Sequence, residues 1–470
     1  MAVEYIWQDL ATIYLRFSVR PTGSFLTTAH LASMPNRQTS ESNKVKLSVY
    51  FRWISHSLCA ISDQAFFAVA NFALNILLVR WLSPHDYGEF SVVLAIHVLI
   101  GACHSTLFTE PMLVYGSEKY KENLSAYIGW LLYGHAAFSL LTGLLIISIA
   151  IGLISIGQQS FAMCMGFLAI SSPIILLYWI LRRAPYIVFR PQMAAIGSLM
   201  YCLITVISVF SLFRNEMLNS TTGLLTMGLA SIFPSLWIVY ALKIQRPPLR
   251  RKPFPLGMLR DHLAYGRWAF STGLCIWISG NIYYVLLPIW GGLEASAALR
   301  SMFNLTMPIL QINGALAGLL VPQFIKVKHE VNFSNWVWST LGLFTLGSAL
   351  YWLALGMFGP IVIEYIYDGQ FLQYANFLWI VGLYPILSGA ISVLGSLLRA
   401  MERPDLLFWS YLASAGVVVT FGIGAMKIWG LWGVGISLVC SYSLATALLV
   451  WCTWNYLHYS EQPKVLRESF

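Results

Sequence analysis

Long apolar runs alternate with short polar interruptions along the whole chain, and the runs have the length of membrane spans. About twenty apolar residues carry a helix across a bilayer core. Runs of that size fall at 54–79, 89–114, 126–156, 160–181, 193–213, 222–242, 264–290, 298–324, 333–358, 372–398, 407–427 and 430–457. The pattern predicts twelve transmembrane helices and an all-α polytopic membrane protein. Several runs exceed the minimum span, which implies tilt or bending. Pro111, Pro173, Pro234, Pro308 and Pro385 lie where such helices can break.

The first run is unusually polar, with His56, Asp63, Gln64, Asn71 and Asn75 inside it. At helical periodicity Ser57, Gln64, Asn71 and Asn75 form one narrow stripe, flanked by Asp63 and His56. Such groups are expensive in lipid, so the stripe faces protein or water. Lining a cavity is one reading; hydrogen bonding between packed helices is the other, and suits Asn71 and Asn75 equally well. An unpaired carboxylate at Asp63 must be protonated or hold a cation, which makes it a candidate coupling site together with Gln64. The second run adds His97 and His104, seven residues apart on one face, and ends in Thr109-Glu110-Pro111. Histidine titrates near physiological pH, so a proton relay competes with a packing role. Glu110 lies about 120° around an ideal helix from His104. The two meet only if the helix unwinds before Pro111.

Composition removes several alternatives. Hydrophobic residues make up 58% of the chain and charged residues 10%, against about 25% charge in soluble domains. The net charge of +9 would suit a nucleic-acid partner, but the basic residues are sorted by side. With a cytoplasmic N-terminus, 24 of the 28 Lys and Arg fall on inside segments, while Arg80, Arg214 and Lys427 lie outside and Arg300 opens the eighth run. This is the positive-inside pattern, so both termini are expected in the cytoplasm and the charge is topological. No G-x-x-x-x-G-K-[ST] phosphate loop occurs. The outside loops are short, the longest lying around Glu364 to Gln370, with no room for a catalytic domain. A non-enzyme without cofactor or metal is expected: all seven cysteines sit in apolar runs and none forms a C-x-x-C pair. The first fifty residues hold no apolar run; residues 35–46 read as disordered, and Met34 is expected as the translation start.

Two echoes divide the chain. Tyr50-Phe51-Arg52-Trp53 returns as Tyr265-Gly266-Arg267-Trp268, and Leu181-Arg182-Arg183-Ala184 followed by Arg190-Pro191 returns as Leu397-Leu398-Arg399-Ala400 followed by Arg403-Pro404. Spans one to six thus map onto spans seven to twelve. Each half has an even number of spans, so the halves share one orientation and should form two parallel-repeat six-helix lobes around a central cavity. The expected organisation is a tail over 1–50, a first lobe over 51–242, a Pro-rich basic linker over 243–262, a second lobe over 263–457 and a tail over 458–470.

Val79-Arg80-Trp81-Leu82-Ser83-Pro84 with Tyr87-Gly88-Glu89-Phe90, and Leu398-Arg399-Ala400-Met401-Glu402-Arg403-Pro404, resemble the loops after the first and tenth helices of oligosaccharide flippases. These belong to the polysaccharide transporter family, within the multidrug/oligosaccharidyl-lipid/polysaccharide exporter superfamily. The resemblance covers about residues 48 to 457. It implies a bacterial inner-membrane flippase for undecaprenyl-pyrophosphate-linked O-antigen or exopolysaccharide units, with membrane lipids and polysaccharide assembly proteins as partners. Asp63 resembles the acid on the first helix of superfamily members that couple transport to H+ or Na+. A pyrophosphate needs cations, and the forked guanidinium suits it. Arg52 and Arg267, at equivalent cytoplasmic mouths, and Arg300 are the candidates, with Asn71 and Asn75 for the glycan; headgroup anchoring competes for the arginines. The other arginines near the ends of runs, Arg182 among them, read as topogenic anchors. An ion-coupled multidrug exporter is the nearest alternative, and a membrane polysaccharide polymerase or ligase a more distant one.

Overall fold

The computed structural model describes residues 37–245 and 256–460, and the side chains of 55–245 and 256–457 apart from Trp268. Among the described residues the regular structure is entirely helical. A chain this apolar has no water to satisfy its backbone, and helices satisfy it internally. The first half contains α1 (Arg37–Trp81), α2 (Pro84–His104), α3 (Glu110–Ser117), α4 (Leu124–Ser155), α5 (Gln159–Ile187), α6 (Pro191–Arg214) and α7 (Ser220–Ala241). The second contains α8 (Leu256–Leu286), α9 (Pro288–Asn304), α10 (Met307–Val327), α11 (Phe333–Tyr367), α12 (Leu378–Val381), α13 (Leu383–Ala400), α14 (Pro404–Val417) and α15 (Ile423–Ser460).

Eleven segments among the described residues are long and apolar enough to cross a membrane. The last, Pro404–Leu457, has 54 residues and turns at Gly430, whose φ of 55° suits a residue without a side chain. It supplies two crossings, which gives the twelve that the pattern predicts. Local chemistry sets several ends. Ser83 caps α2 by accepting the Asp86 N–H at 3.1 Å, and Asn219 closes a reciprocal capping box with Thr222 at the start of α7.

Several helices are broken in mid-course, among them α14 at a π-turn over Val418–Gly422, and two of the breaks fall at marked prolines. α2 runs through a π-turn, Ser105–Thr109, into α3, and α9 gives way to α10 at Leu305 and Thr306. Each of these two breaks falls just before a proline marked in the sequence, Pro111 or Pro308. Proline cannot donate to the carbonyl one turn back, which loosens the helix there.

The expected segment boundaries move at two places. α1 begins at Arg37, so 37–50 is helical instead of a disordered tail; no Gly or Pro interrupts it before the span. Leu256–His262, read as linker, already belongs to α8. Met34 lies outside the described residues.

The halves share one core at one end; at the other the core divides in two, with Met258 at the start of α8 joining that of the first half. Leu74, Leu78, Tyr87, Phe90 and Val93 of the first half pack in one buried cluster with Tyr283, Leu287, Ala297, Phe303 and Tyr367 of the second. This joint core lies toward the end carrying Arg80 and Asp368, here termed the far face. At the opposite, basic face, Met112, Tyr127, Leu181 and Tyr201 form a core for the first lobe. Phe324, Phe333, Val337 and Leu397 form another for the second. On α10, Ile312, Leu316 and Leu319 are exposed, while Ile309, Asn313 and Phe324 form a narrow buried strip.

Candidate functional site: contacts between the halves at the far face

The joint core at the far face carries a polar seal. Arg80, at the end of α1, donates Nη1 to the carbonyls of Tyr365 at 2.8 Å and Ile366 at 3.3 Å, and Nη2 lies 3.9 Å from the Asp368 carboxylate. Gln370 Nε2 returns a hydrogen bond to the Arg80 carbonyl at 3.2 Å. Asp368 can sit there because it ends α11 in the left-handed region, at φ 58°. Deeper in, Asn304 Nδ2 donates to Tyr87 Oη at 2.8 Å and Trp277 Nε1 to the Ala95 carbonyl at 2.9 Å. A Cβ on Gly88 would fall inside the Leu293 carbonyl, so α2 and α9 touch backbone to backbone.

Arg300 belongs to this seal. It is buried, its Nη2 donates to the Ser91 carbonyl at 3.2 Å, and its guanidinium lies 3.9 Å over the Tyr284 ring. Its Nε has no partner among the described residues.

Asp63 is fully buried and carries its own cation. Arg182 Nε donates to Oδ1 at 2.7 Å, Ser198 Oγ donates to the same oxygen at 2.5 Å, and Tyr186 Oη and Gln64 Nε2 donate to Oδ2 at 2.6 and 3.0 Å. Arg182 also stacks 4.1 Å above the Phe67 ring. Four donors and one full charge satisfy this carboxylate, so the expectation that it must be protonated or bind an ion does not hold in this state. The expectation of Arg182 as a headgroup anchor is corrected with it. α5 brings that side chain inward to the level of Asp63.

The rest of the polar stripe ties helices together. Asn71 Nδ2 donates to the Phe67 carbonyl at 2.8 Å and its Oδ1 accepts from Tyr201 at 3.3 Å. Asn75 Nδ2 donates to the Asn71 carbonyl at 2.8 Å and its Oδ1 accepts from Tyr87 at 3.4 Å. Both asparagines are half-buried.

The histidines separate. His97 Nδ1 meets Ser172 Oγ at 3.0 Å, while His104 Nε2 meets His135 Nδ1 at 3.0 Å. Glu110 does not join them. The helix does unwind before Pro111, as a π-turn, but His104 turns to α4 instead. Glu110 is half-buried, within electrostatic reach of Arg399 and Tyr265 of the second lobe. Arg267 is exposed on α8. The Arg52 side chain lies outside the described residues.

Sequence reasoning missed Arg80, Arg182, Tyr186, Ser198 and His135, and also Glu89. Glu89 is buried and accepts from Ser220 Oγ, at the first turn of α7, at 2.8 Å. A buried acid demands a donor, so Asp63 itself signalled a partner. Its position, 119 residues away, carried no signal.

No family model and no curated protein matches this chain. Solved structures do. The fold is similar to the inward-facing conformation of a multidrug resistance MATE family transporter of the MOP superfamily, with TM-score 0.71 and 14% identity over 86% of this chain and 99% of that one. It is similar to the lipid II flippase MurJ in an inward closed conformation, with TM-score 0.69 and 12% identity over 85% and 87%. An outward-facing conformation of a multidrug resistance MATE family transporter scores 0.58 at 13% identity over 86% and 96%. The chain is therefore a multi-pass membrane protein with the fold of these transporters.

Proposed function

We propose that this protein flips a lipid-linked oligosaccharide, carried on undecaprenyl pyrophosphate, across the bacterial inner membrane for cell-surface polysaccharide synthesis. The two lobes pivot to expose the cleft to one side and then the other, without chemical change to the cargo. In this reading both termini and the basic face are cytoplasmic, and the state described is the loading state. The far-face seal supports that assignment, as does the higher score against the inward-facing transporter than against the outward-facing one.

The observation that carries the reading is the distribution of free charge. Asp63 is neutralised by Arg182, whereas Arg267 stands exposed at the basic face and forms no ion pair among the described residues. A pump for cationic drugs needs the reverse, an open carboxylate in an aromatic cleft. Arg300 is sequestered in the seal in this state and becomes available to a pyrophosphate when the far face opens. Membrane lipids and polysaccharide assembly proteins are the partners.

Glu110 favours a second reading, an ion-coupled exporter. It is the acid that faces the opposite lobe without an ion pair among the described residues, and H+ or Na+ would couple there. Deleting the gene and analysing lipid-linked intermediates separates the two. Accumulation of a complete, cytoplasm-facing oligosaccharide lipid is the expected result; unchanged intermediates with increased drug sensitivity would establish the exporter instead.

A further inference from the structure

The apolar span of α8 begins at Ala269, so its first turns lie just before it, and their contacts indicate the depth. Asp261 accepts from Lys119 Nζ at 2.5 Å and from Tyr120 Oη at 2.9 Å, in the loop between the spans that end at Ser117 and begin at Lys121. Asp261 therefore marks the boundary. The neighbouring His262 reaches the Leu107 carbonyl at 2.7 Å, and Gly266 packs on the Thr106 carbonyl, both inside the span Pro84–Ser117.

The opposite side of these turns is open. Leu256, Leu259, Arg260, Leu263, Ala264 and Arg267 line a shallow groove of about 410 Å³. Seven residues of helix rise about 10.5 Å. Arg260 and Arg267 thus straddle the headgroup layer, with Arg267 on the membrane side of Asp261. Neither forms an ion pair among the described residues; the nearest acid in sequence, Asp261, lies on the other face and is taken by Lys119. A bare guanidinium at this depth is costly, and an anion delivered by a lipid removes the cost. Leu263 lies between the arginines, 51% exposed, and Phe270, 38% exposed, continues the same face toward the bilayer core.

We propose that this face docks the polyprenyl diphosphate end of the cargo, with the diphosphate bridging Arg260 and Arg267 and the chain lying over Leu263 and Phe270. The inference rests on the flippase reading and adds where the lipid is held before the glycan enters the cleft. Two guanidinium forks two turns apart match oxygens on two phosphorus centres.

The full-length protein, purified in detergent, is titrated with undecaprenyl pyrophosphate, undecaprenol and phosphatidylglycerol, and bound lipid is read by native mass spectrometry. Undecaprenyl pyrophosphate is expected to bind most tightly, and Arg260→Gln/Arg267→Gln to weaken it by about tenfold or more. Undecaprenol and phosphatidylglycerol should bind weakly to both proteins. Undiminished binding of the pyrophosphate by the double variant overturns this site while leaving the flippase reading intact. Phosphatidylglycerol held as tightly as the pyrophosphate, and lost in the double variant, makes the groove an ordinary anionic-lipid site and also overturns the proposal. Absence of pyrophosphate binding to the unaltered protein removes the site and the reading together. Both positions are exposed, and an unchanged elution profile confirms that the variant is folded.

Discussion

Removing Arg182 leaves the Asp63 carboxylate with neutral donors alone, in a site where it has no exposure. Breaking one side of a buried pair costs roughly 3–5 kcal/mol, whereas replacing both partners is far milder. Arg182→Met and Asp63→Ala should each lower the midpoint of thermal unfolding sharply, and Asp63→Asn/Arg182→Met should recover much of the loss. Equal midpoints across the series would return Asp63 to the free ionisable groups. The polar stripe on α1 was legible in the sequence, because 3.6-residue periodicity places Gln64, Asn71 and Asn75 together. What the stripe meets was not legible. Ser198 and Arg182 come from helices whose rotation and tilt leave no trace in their own apolar pattern.

At the scale of elements, the junction of α8 with the π-turn carries a pH dependence. Pro111 has no N–H for the Leu107 carbonyl, and His262 supplies one from Nδ1, while its Nε2 accepts from Tyr127 Oη at 2.8 Å. Together the two bonds place the proton on Nδ1 and leave Nε2 free to accept, so protonation of Nε2 breaks the Tyr127 bond while the Nδ1 bond can persist. Burial holds His262 below the usual histidine range, although the Leu107 carbonyl and Asp261 pull it up. The unfolded chain takes the proton first as pH falls below about 6.5, so the contribution is full above that pH and is lost toward the lower folded value. Hydrogen exchange over 256–267 should be slow at pH 7.5 and clearly faster at pH 5.5. His262→Gln should abolish the difference; equal protection of the unaltered protein at both pH values would refute the junction. The prolines at 111 and 308 announced the breaks beside them, but not their form, and no proline announced the π-turn over Val418–Gly422. Whether a loosened turn becomes a π-turn or a gap depends on what packs against its freed carbonyls.

For the whole molecule, the proposed flippase cycle requires the far face to give way. Gly88 has no room for a side chain against Leu293. Overpacking there costs about 1–3 kcal/mol, which corresponds to a change of roughly 5- to 150-fold in the balance of two states. Gly88→Val should therefore raise the rate at which a cysteine placed at Ser91 reacts with a membrane-impermeant thiol reagent. An unchanged rate would mean that the contact does not hold the seal. Span number and the duplicated halves were readable because lipid imposes helix length and loop charge directly. The conformational state was not, since the proposed cycle requires one sequence to encode two packings of the same lobes.

The joint core at one end and paired cores at the other also make the molecule a lever. A helix of 24 residues is about 36 Å long, so a tilt of about 10° around the far-face contacts moves the free end by about 6 Å. In the proposed cycle, contacts of sub-ångström tolerance near Gly88 and Leu293 would thereby be geared to displacements on the scale of a sugar ring at the basic face. The fulcrum can stay tightly packed, as a protein interior requires, while the passage it controls opens by several ångströms.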